Sequence, residues 1–326
     1  MIRAALPTAA LLVGLAGCAA SPPLAQGLPA TLPRALELRD TPFYPQEDYQ
    51  CGPAALATVL RTSGVIVEPA ELVPQVFLPG RHGSLQAELV SAARRHGRLA
   101  YLLPATGDAL LSELAEGRPI LLLQNLRLES FPSWHYAVLV GYDANRNVAV
   151  LRSGRRERLE MRWQSFARSW HRAGRWAMTA LAPGVIPEHA EATRYLEAAA
   201  GLEAAGDRKN AALAYDAAIA RWPDEPVAWL GRGNVAHAGG NIAVAAEAYA
   251  QAIMLAPGNA SAHNNLAQAL ADAGCIEAAR REVQRAIELA TGSDLGAVVA
   301  ETARSLAAAG AVPGSGSCSL PGLARN

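Results

Sequence analysis

Residues 43–61 read FYPQEDYQCGPAALATVLR, and the reading of this stretch turns on Cys51. From Cys51 to Arg61 apolar side chains recur at helical spacing, and Ser63 and Gly64 stop the pattern. The spacing predicts a buried helix that begins at the cysteine. A thiol in the first turn lies at the positive end of the helix dipole, which favours thiolate. The same turn leaves backbone N–H groups without helical partners, and Gln46 a few residues upstream brings a side-chain amide. Such donors suit the oxyanion of an acyl-transfer intermediate. Gly52 and Pro53 keep side chains and a competing donor away from that turn. On Cys51 alone, a buried structural cysteine stands as the alternative.

Well downstream, His135 in SWHYAVLVGYD stands immediately before a strand-like run. An imidazole at a strand start, facing a thiol at a helix start, is placed to take the thiol proton and later give it to a leaving amine. Between the two, Leu85, Leu89 and Ala92 mark a second helix over Ser84–His96. Short Leu- and Val-rich runs at Pro119–Gln124, Tyr136–Tyr142 and Val148–Leu151 read as strands. A helix first and a sheet later suits an α+β fold.

The residues Gln46, Cys51, Gly52 and Pro53, with His135, Tyr136, Val138, Gly141, Tyr142 and Asp143, resemble the bacteriocin-processing cysteine peptidases that cut after double-glycine leaders, a family of the papain-like clan. The resemblance spans roughly residues 41 to 160. It implies a papain-like domain in which Cys51 is the nucleophile, His135 the general base and acid, and Gln46 the oxyanion donor. Two departures stand out. Gln46 is one residue closer to the cysteine than in the family. The family also places an Asp about sixteen residues beyond the histidine to orient it. Here that stretch reads VAVLRSG, with Arg152 near the expected place. Asp143 reads as a turn residue, so the third position stays unassigned. Arg152, Arg155, Arg156 and Arg158 read as a solvated strand and turn face, and Trp134 as a cleft or core aromatic.

At the N-terminus Arg3 precedes an apolar stretch from Ala4 to Ala16, too short to span a bilayer. It ends in Leu15, Ala16, Gly17 and Cys18, which resembles the lipobox of bacterial lipoproteins and makes Cys18 the lipidation site. Ala19 after the cysteine implies an outer-membrane lipoprotein facing the periplasm. Residues 1–18 are then the signal peptide, 19–39 a flexible Pro- and Ala-rich tether, and 40–184 the papain-like domain.

After Pro187 the composition turns Ala-rich and repeats with a period of 34: Tyr215, Tyr249 and Val283, or Gly206, Gly240 and Gly274. This is the tetratricopeptide period, and Trp229, Gly233, Ala245, Tyr249, Ala252 and Pro257 fit its consensus. Residues 188–310 therefore read as an all-α tetratricopeptide-repeat solenoid of three units and a capping helix, with 311–326 a tail. Stacked repeats bury faces that one unit cannot, and imply a protein partner.

Lys plus Arg equal Asp plus Glu at 29 each, which removes the electrostatic case for nucleic acid. The histidines lack metal-ligand spacing and no phosphate loop is present, so neither metal nor cofactor is expected. Cys275 and Cys318 are either a disulfide or two free thiols. The whole describes an envelope-anchored cysteine peptidase acting on a protein or peptide substrate. The missing Asp leaves a catalytically weak peptidase-like scaffold as the alternative, and the same Cys-His geometry also serves other acyl and amide transfers.

Overall fold

The computed structural model describes residues 23–46 and 50–308. The expected lipobox with Cys18, and the expected tail with Cys318, lie outside the described residues. In chain order the first part comprises α1 (Leu24–Gly27), β1 (Ala35–Glu37), α2 (Cys51–Thr62), α3 (Pro69–Val76), α4 (Gln86–Arg95), β2 (Leu99–Leu102), α5 (Gly107–Ala115), β3 (Ile120–Asn125), β4 (Trp134–Asp143), β5 (Val148–Ser153), β6 (Arg156–Arg162), α6 (Trp163–His171) and β7 (Ala177–Leu181). The strands form one antiparallel sheet in the order β2-β7-β3-β4-β5-β6, and β1 pairs with the far end of β4.

Strand alternation explains how the sheet is sandwiched. Successive side chains point to opposite faces, so a strand covered on both sides is apolar throughout. β3 is buried at all its positions. From β4, Tyr136, Val138 and Val140 pack with Leu56, Leu60, Leu72 and Leu89 of α2, α3 and α4. Ala137 and Leu139 pack on the other face, with Leu110, Leu114, Phe166 and Trp170 of α5 and α6. Each fully buried Leu or Phe contributes about 1.5–3 kcal/mol, so α2 is held by packing along nearly its whole length.

The stretch expected to be a flexible tether is folded from Leu24 onward. Leu24 is buried, its N–H donates to Asn147 Oδ1 at 2.9 Å, and Tyr142 Oη donates to the Pro33 carbonyl at 2.8 Å. β1 then pairs with β4 from Ala35↔Asp143 to Glu37↔Gly141. The regularly spaced Leu28, Leu32 and Leu36, which pack on the core, are what a Pro-rich composition concealed.

The second part is helical: α7 (Ala192–Ala204), α8 (Arg208–Arg221), α9 (Pro226–Ala238), α10 (Ile242–Leu255), α11 (Ala260–Asp272), α12 (Ile276–Ala290) and α13 (Gly296–Ala308). The helices pair in sequence as the period predicts, and α13 packs against α12. Tyr249 of α10 lies against the bare backbone of Gly233 in α9, where a Cβ would stand 2.4 Å from its ring. This is the close approach that small consensus residues permit. Asp207, Asn241 and Asn259 cap the helices that follow them. Cys275 is disulfide-bonded.

The core does not stop at the composition break near Pro183. Tyr195, Leu196, Ala199 and Leu202 of α7 share one apolar cluster with Leu99, Tyr101 and Leu103 around β2. Tyr101 Oη accepts the Glu191 N–H at 3.2 Å just ahead of α7. The first repeat thus completes the sheet's hydrophobic covering.

Candidate active site

Cys51 is the first residue of α2, behind Gln50, whose side chain makes no capping bond. Gly52 is required there by its neighbour: a Cβ would lie 2.4 Å from Ser84 Oγ and 2.7 Å from Ser84 Cβ. The thiol therefore sits on a turn pressed against the start of α4. Burial pushes it above its usual range, while the backbone N–H groups of Tyr136, Gly52 and Cys51 pull in the opposite direction without overcoming it. The helix start therefore does not act alone on the thiol: at this partly buried position desolvation works against the thiolate and outweighs the backbone donors.

His135 is the second residue of β4, opposite Gln124 of β3. Burial pulls its ring below the ordinary histidine range. Its Nε2 lies 2.8 Å from Ser153 Oγ, at the end of β5. Among the described residues no carboxylate contacts the ring. Ser153 was absent from the reading of the sequence, which sought an acidic residue; the signal was its place at the end of the strand after His135.

Arg152, one residue earlier, is not the solvated side chain expected. It is buried, and its guanidinium donates to the carbonyls of Glu157 at 2.7 Å, Arg39 at 3.1 Å and Thr41 at 3.4 Å. Alternation sends adjacent strand residues to opposite sides, so Arg152 reaches the chain leading to Gln46 while Ser153 reaches His135. Arg158 is also engaged, with Glu37 and Glu160, whereas Arg155 is exposed. Asp143 lies at the far end of β4 and accepts the N–H groups of Asn145 and Arg146 as a turn residue.

Gln46 is doubly fixed to the β5–β6 turn. Its N–H donates to the Gly154 carbonyl at 3.0 Å, and its Oε1 accepts the Gly154 N–H at 3.1 Å. Because only the carbonyl end of the amide can accept that N–H, the Nε2 end is left as the donor. Gln46, Cys51, His135 and Tyr136 line one cleft of about 900 Å³, closed by Ser84, Leu85, Leu123, Trp134, Gly154 and Ala173. Trp134 is 56% exposed, a cleft wall and not a core residue. Tyr136 Oη donates to the Ser84 carbonyl at 3.3 Å, and its ring meets Trp176 edge-on at 5.9 Å. These contacts tie the histidine strand to the wall beside Gly52. A thiol, an imidazole and amide donors around one cleft are the parts of a nucleophilic acyl-transfer centre. Among the described residues no cluster could hold a metal ion.

Residues 38–178 match the model of the Peptidase C39 like family, and residues 196–260 and 238–294 match the tetratricopeptide repeat. No curated protein matches the chain. Solved structures similar to it include the first TPR of Spaghetti bound to an HSP90 peptide, at 19% identity and a TM-score of 0.34, covering 36% of this chain and 91% of that one. The TPR2B domain of yeast Sti1 in a complex with pHsp70 is 16% identical with a TM-score of 0.35, covering 36% of this chain and 98% of that one. The Yersinia enterocolitica type III secretion translocator chaperone SycD is 16% identical with a TM-score of 0.34, covering 36% and 83%.

Proposed function

We propose that this chain, a Peptidase C39-like domain followed by tetratricopeptide repeats, is a cysteine peptidase held in the cell envelope by a lipid on Cys18, with the repeats binding a protein substrate or partner. The observation that carries the reading is the single cleft shared by Cys51, His135 and Gln46. In the reaction the Cys51 proton passes to His135 as sulfur attacks the scissile carbonyl carbon, and the carbonyl electrons move to oxygen. The Gln46 Nε2 and the N–H groups at the start of α2 stabilise that oxyanion. Its collapse breaks the C–N bond, and His135 returns the proton to the departing amine. Water then hydrolyses the thioester through the same base, releasing the acid and restoring the thiol.

The test is incubation of the full-length chain with a peptide library, read by mass spectrometry for cleaved products and for a thioester on Cys51. Cleavage lost in Cys51→Ala and His135→Ala supports the reading; cleavage unchanged in Cys51→Ala overturns it. The scaffold reading also has an observation in its favour, the serine at the place where the family implies a carboxylate. It predicts that Cys51→Ala keeps the partner complex and the cellular function intact. Metabolic labelling with a palmitate analogue tests the anchor, which Cys18→Ala abolishes if Cys18 carries the lipid.

A further inference from the structure

We propose that Ser153 is the positioning residue of the Cys51–His135 pair, an uncharged group in the place where the resemblance implies an Asp; this rests on the peptidase reading of the cleft. The geometry is direct. Ser153 Oγ lies 2.8 Å from His135 Nε2, and Ser153 is buried at the end of β5. With Nε2 occupied, Nδ1 is the nitrogen left to exchange a proton with the thiol.

The chemistry differs from that of a carboxylate in two ways. A carboxylate accepts only, so it fixes a proton on Nε2 and leaves the Nδ1 lone pair free for the thiol. A hydroxyl both donates and accepts, so it holds the ring plane but admits either tautomer. A carboxylate also stabilises the imidazolium that forms when the thiol gives up its proton, whereas a serine offers no charge. The surroundings reinforce that difference, since burial disfavours both the thiolate and the imidazolium. Both effects work against an ionised resting pair, and the proton passes from Cys51 to His135 as the sulfur attacks. No co-reactant is needed, because the proton stays within the pair.

The experiment compares the full-length chain in mild detergent with Ser153→Ala, Ser153→Thr and Ser153→Asp. Alkylation of Cys51 is followed against pH by peptide mapping, which separates it from the other cysteines. His135 is titrated by NMR, and turnover is measured on a cleavable peptide. Ser153→Asp should lower the midpoint of Cys51 alkylation and raise that of His135, each by about one unit or more, the effect of a neighbouring opposite charge on the imidazolium. Ser153→Ala should lower turnover about tenfold, the scale of one lost hydrogen bond, and Ser153→Thr should restore most of it. Ser153→Ala matching the native turnover and pH profile overturns the proposal, whether or not the Asp variant folds. If the Asp variant shifts His135 but leaves Cys51 unmoved, Ser153 does hold the ring and the paired-site reading of the cleft fails instead. Without turnover in any form, the two titrations decide in the same way.

Discussion

Replacing Arg152 by methionine removes the guanidinium that ties the segment before Gln46 to the end of the sheet. Two of its contacts are short, to the Glu157 carbonyl at 2.7 Å and the Arg39 carbonyl at 3.1 Å; the two to Thr41 are at 3.4 Å. A hydrogen bond from a charged donor contributes about 1.5–3 kcal/mol, so the two short bonds together contribute about 3–6 kcal/mol. Relief of a buried charge that has no carboxylate partner offsets part of this. Taking the net loss as about 2–4 kcal/mol and the unfolding entropy as about 2.1 cal/mol/K per residue, a chain of 326 residues loses roughly 1.5 °C of Tm per kcal/mol, or about 3–6 °C in all. The assay is thermal unfolding by circular dichroism of the full-length chain and of Arg152→Met. The carbonyls of Arg39 and Thr41 also set the path of the chain into Gln46, so the variant that remains folded should lose turnover as Gln46→Ala does. A Tm change below about 2 °C, or full turnover in the folded variant, would show that Arg152 neither holds this segment nor positions the oxyanion donor.

Three further perturbations follow from the same contacts. Gly52→Ala puts a Cβ 2.4 Å from Ser84 Oγ and should cost about 1–3 kcal/mol, with Ser84→Gly in the same chain recovering most of it; denaturant melts measure both. His135 and His96 are each pulled below the ordinary histidine value of 6.5, mainly by burial, so the unfolded chain takes up protons that the folded one refuses. Their contribution is complete above that value and falls away as pH drops below it, and His135→Gln should flatten part of the fall in melts between pH 7.5 and 5. Leu202→Ala empties a site where α7 meets the sheet and should cost about 2–5 kcal/mol; near-UV signals of the sheet and far-UV signals of the helices should then shift together in one transition.

The parts legible in the sequence are those whose signal is local. Cys51–Thr62 is a helix because its apolar residues recur at helical spacing to a Ser-Gly stop, and the 34-residue period gave the helix pairs through Gly206, Gly240 and Gly274. What was missed depends on contacts distant in the chain. β6 is an edge strand in which charges dominate from Arg156 to Arg162, and only Leu159 and Met161 turn toward the core, too short an apolar alternation to stand out. β2 and β7 are four and five residues long, below the length at which period separates strand from helix. Ser153 escaped for a geometric reason as well as a chemical one. The β4–β5 register shifts between Leu139 and Gly141, and the β5–β6 register between Leu151 and Ser153, so counting residues from His135 does not reach the position that meets its ring. The direction of the Cys51 shift was likewise hidden, since the helix-start argument is local and the desolvation that opposes it comes from neighbours throughout the fold.

Folding of the chain from Leu24 onward also bears on which substrates a lipid-anchored enzyme would meet. Leu24 is pinned to Asn147, beyond the end of β4 marked by Asp143, whereas His135 is near the beginning of that strand. Eight residues separate His135 from Asp143, and at about 3.3 Å per residue they place the two ends roughly 26 Å apart. A lipid on Cys18 would be joined to Leu24 across six residue steps, which span at most about 22 Å when fully extended. Such a leash would be shorter than the strand, and would tether the sheet at its end away from the cleft. Soluble peptides are the substrates such an arrangement admits most freely. Inserting ten Gly and Ser residues after Ala19 should leave turnover of a soluble peptide within about twofold, because Leu24 is pinned to Asn147 at the end of the sheet away from the cleft. Cleavage of a membrane-bound protein should rise with the longer leash, whose added reach is about 35 Å at full extension. Equal stimulation of both substrates would mean that the leash restrains the cleft itself, and would overturn this placement of the anchor.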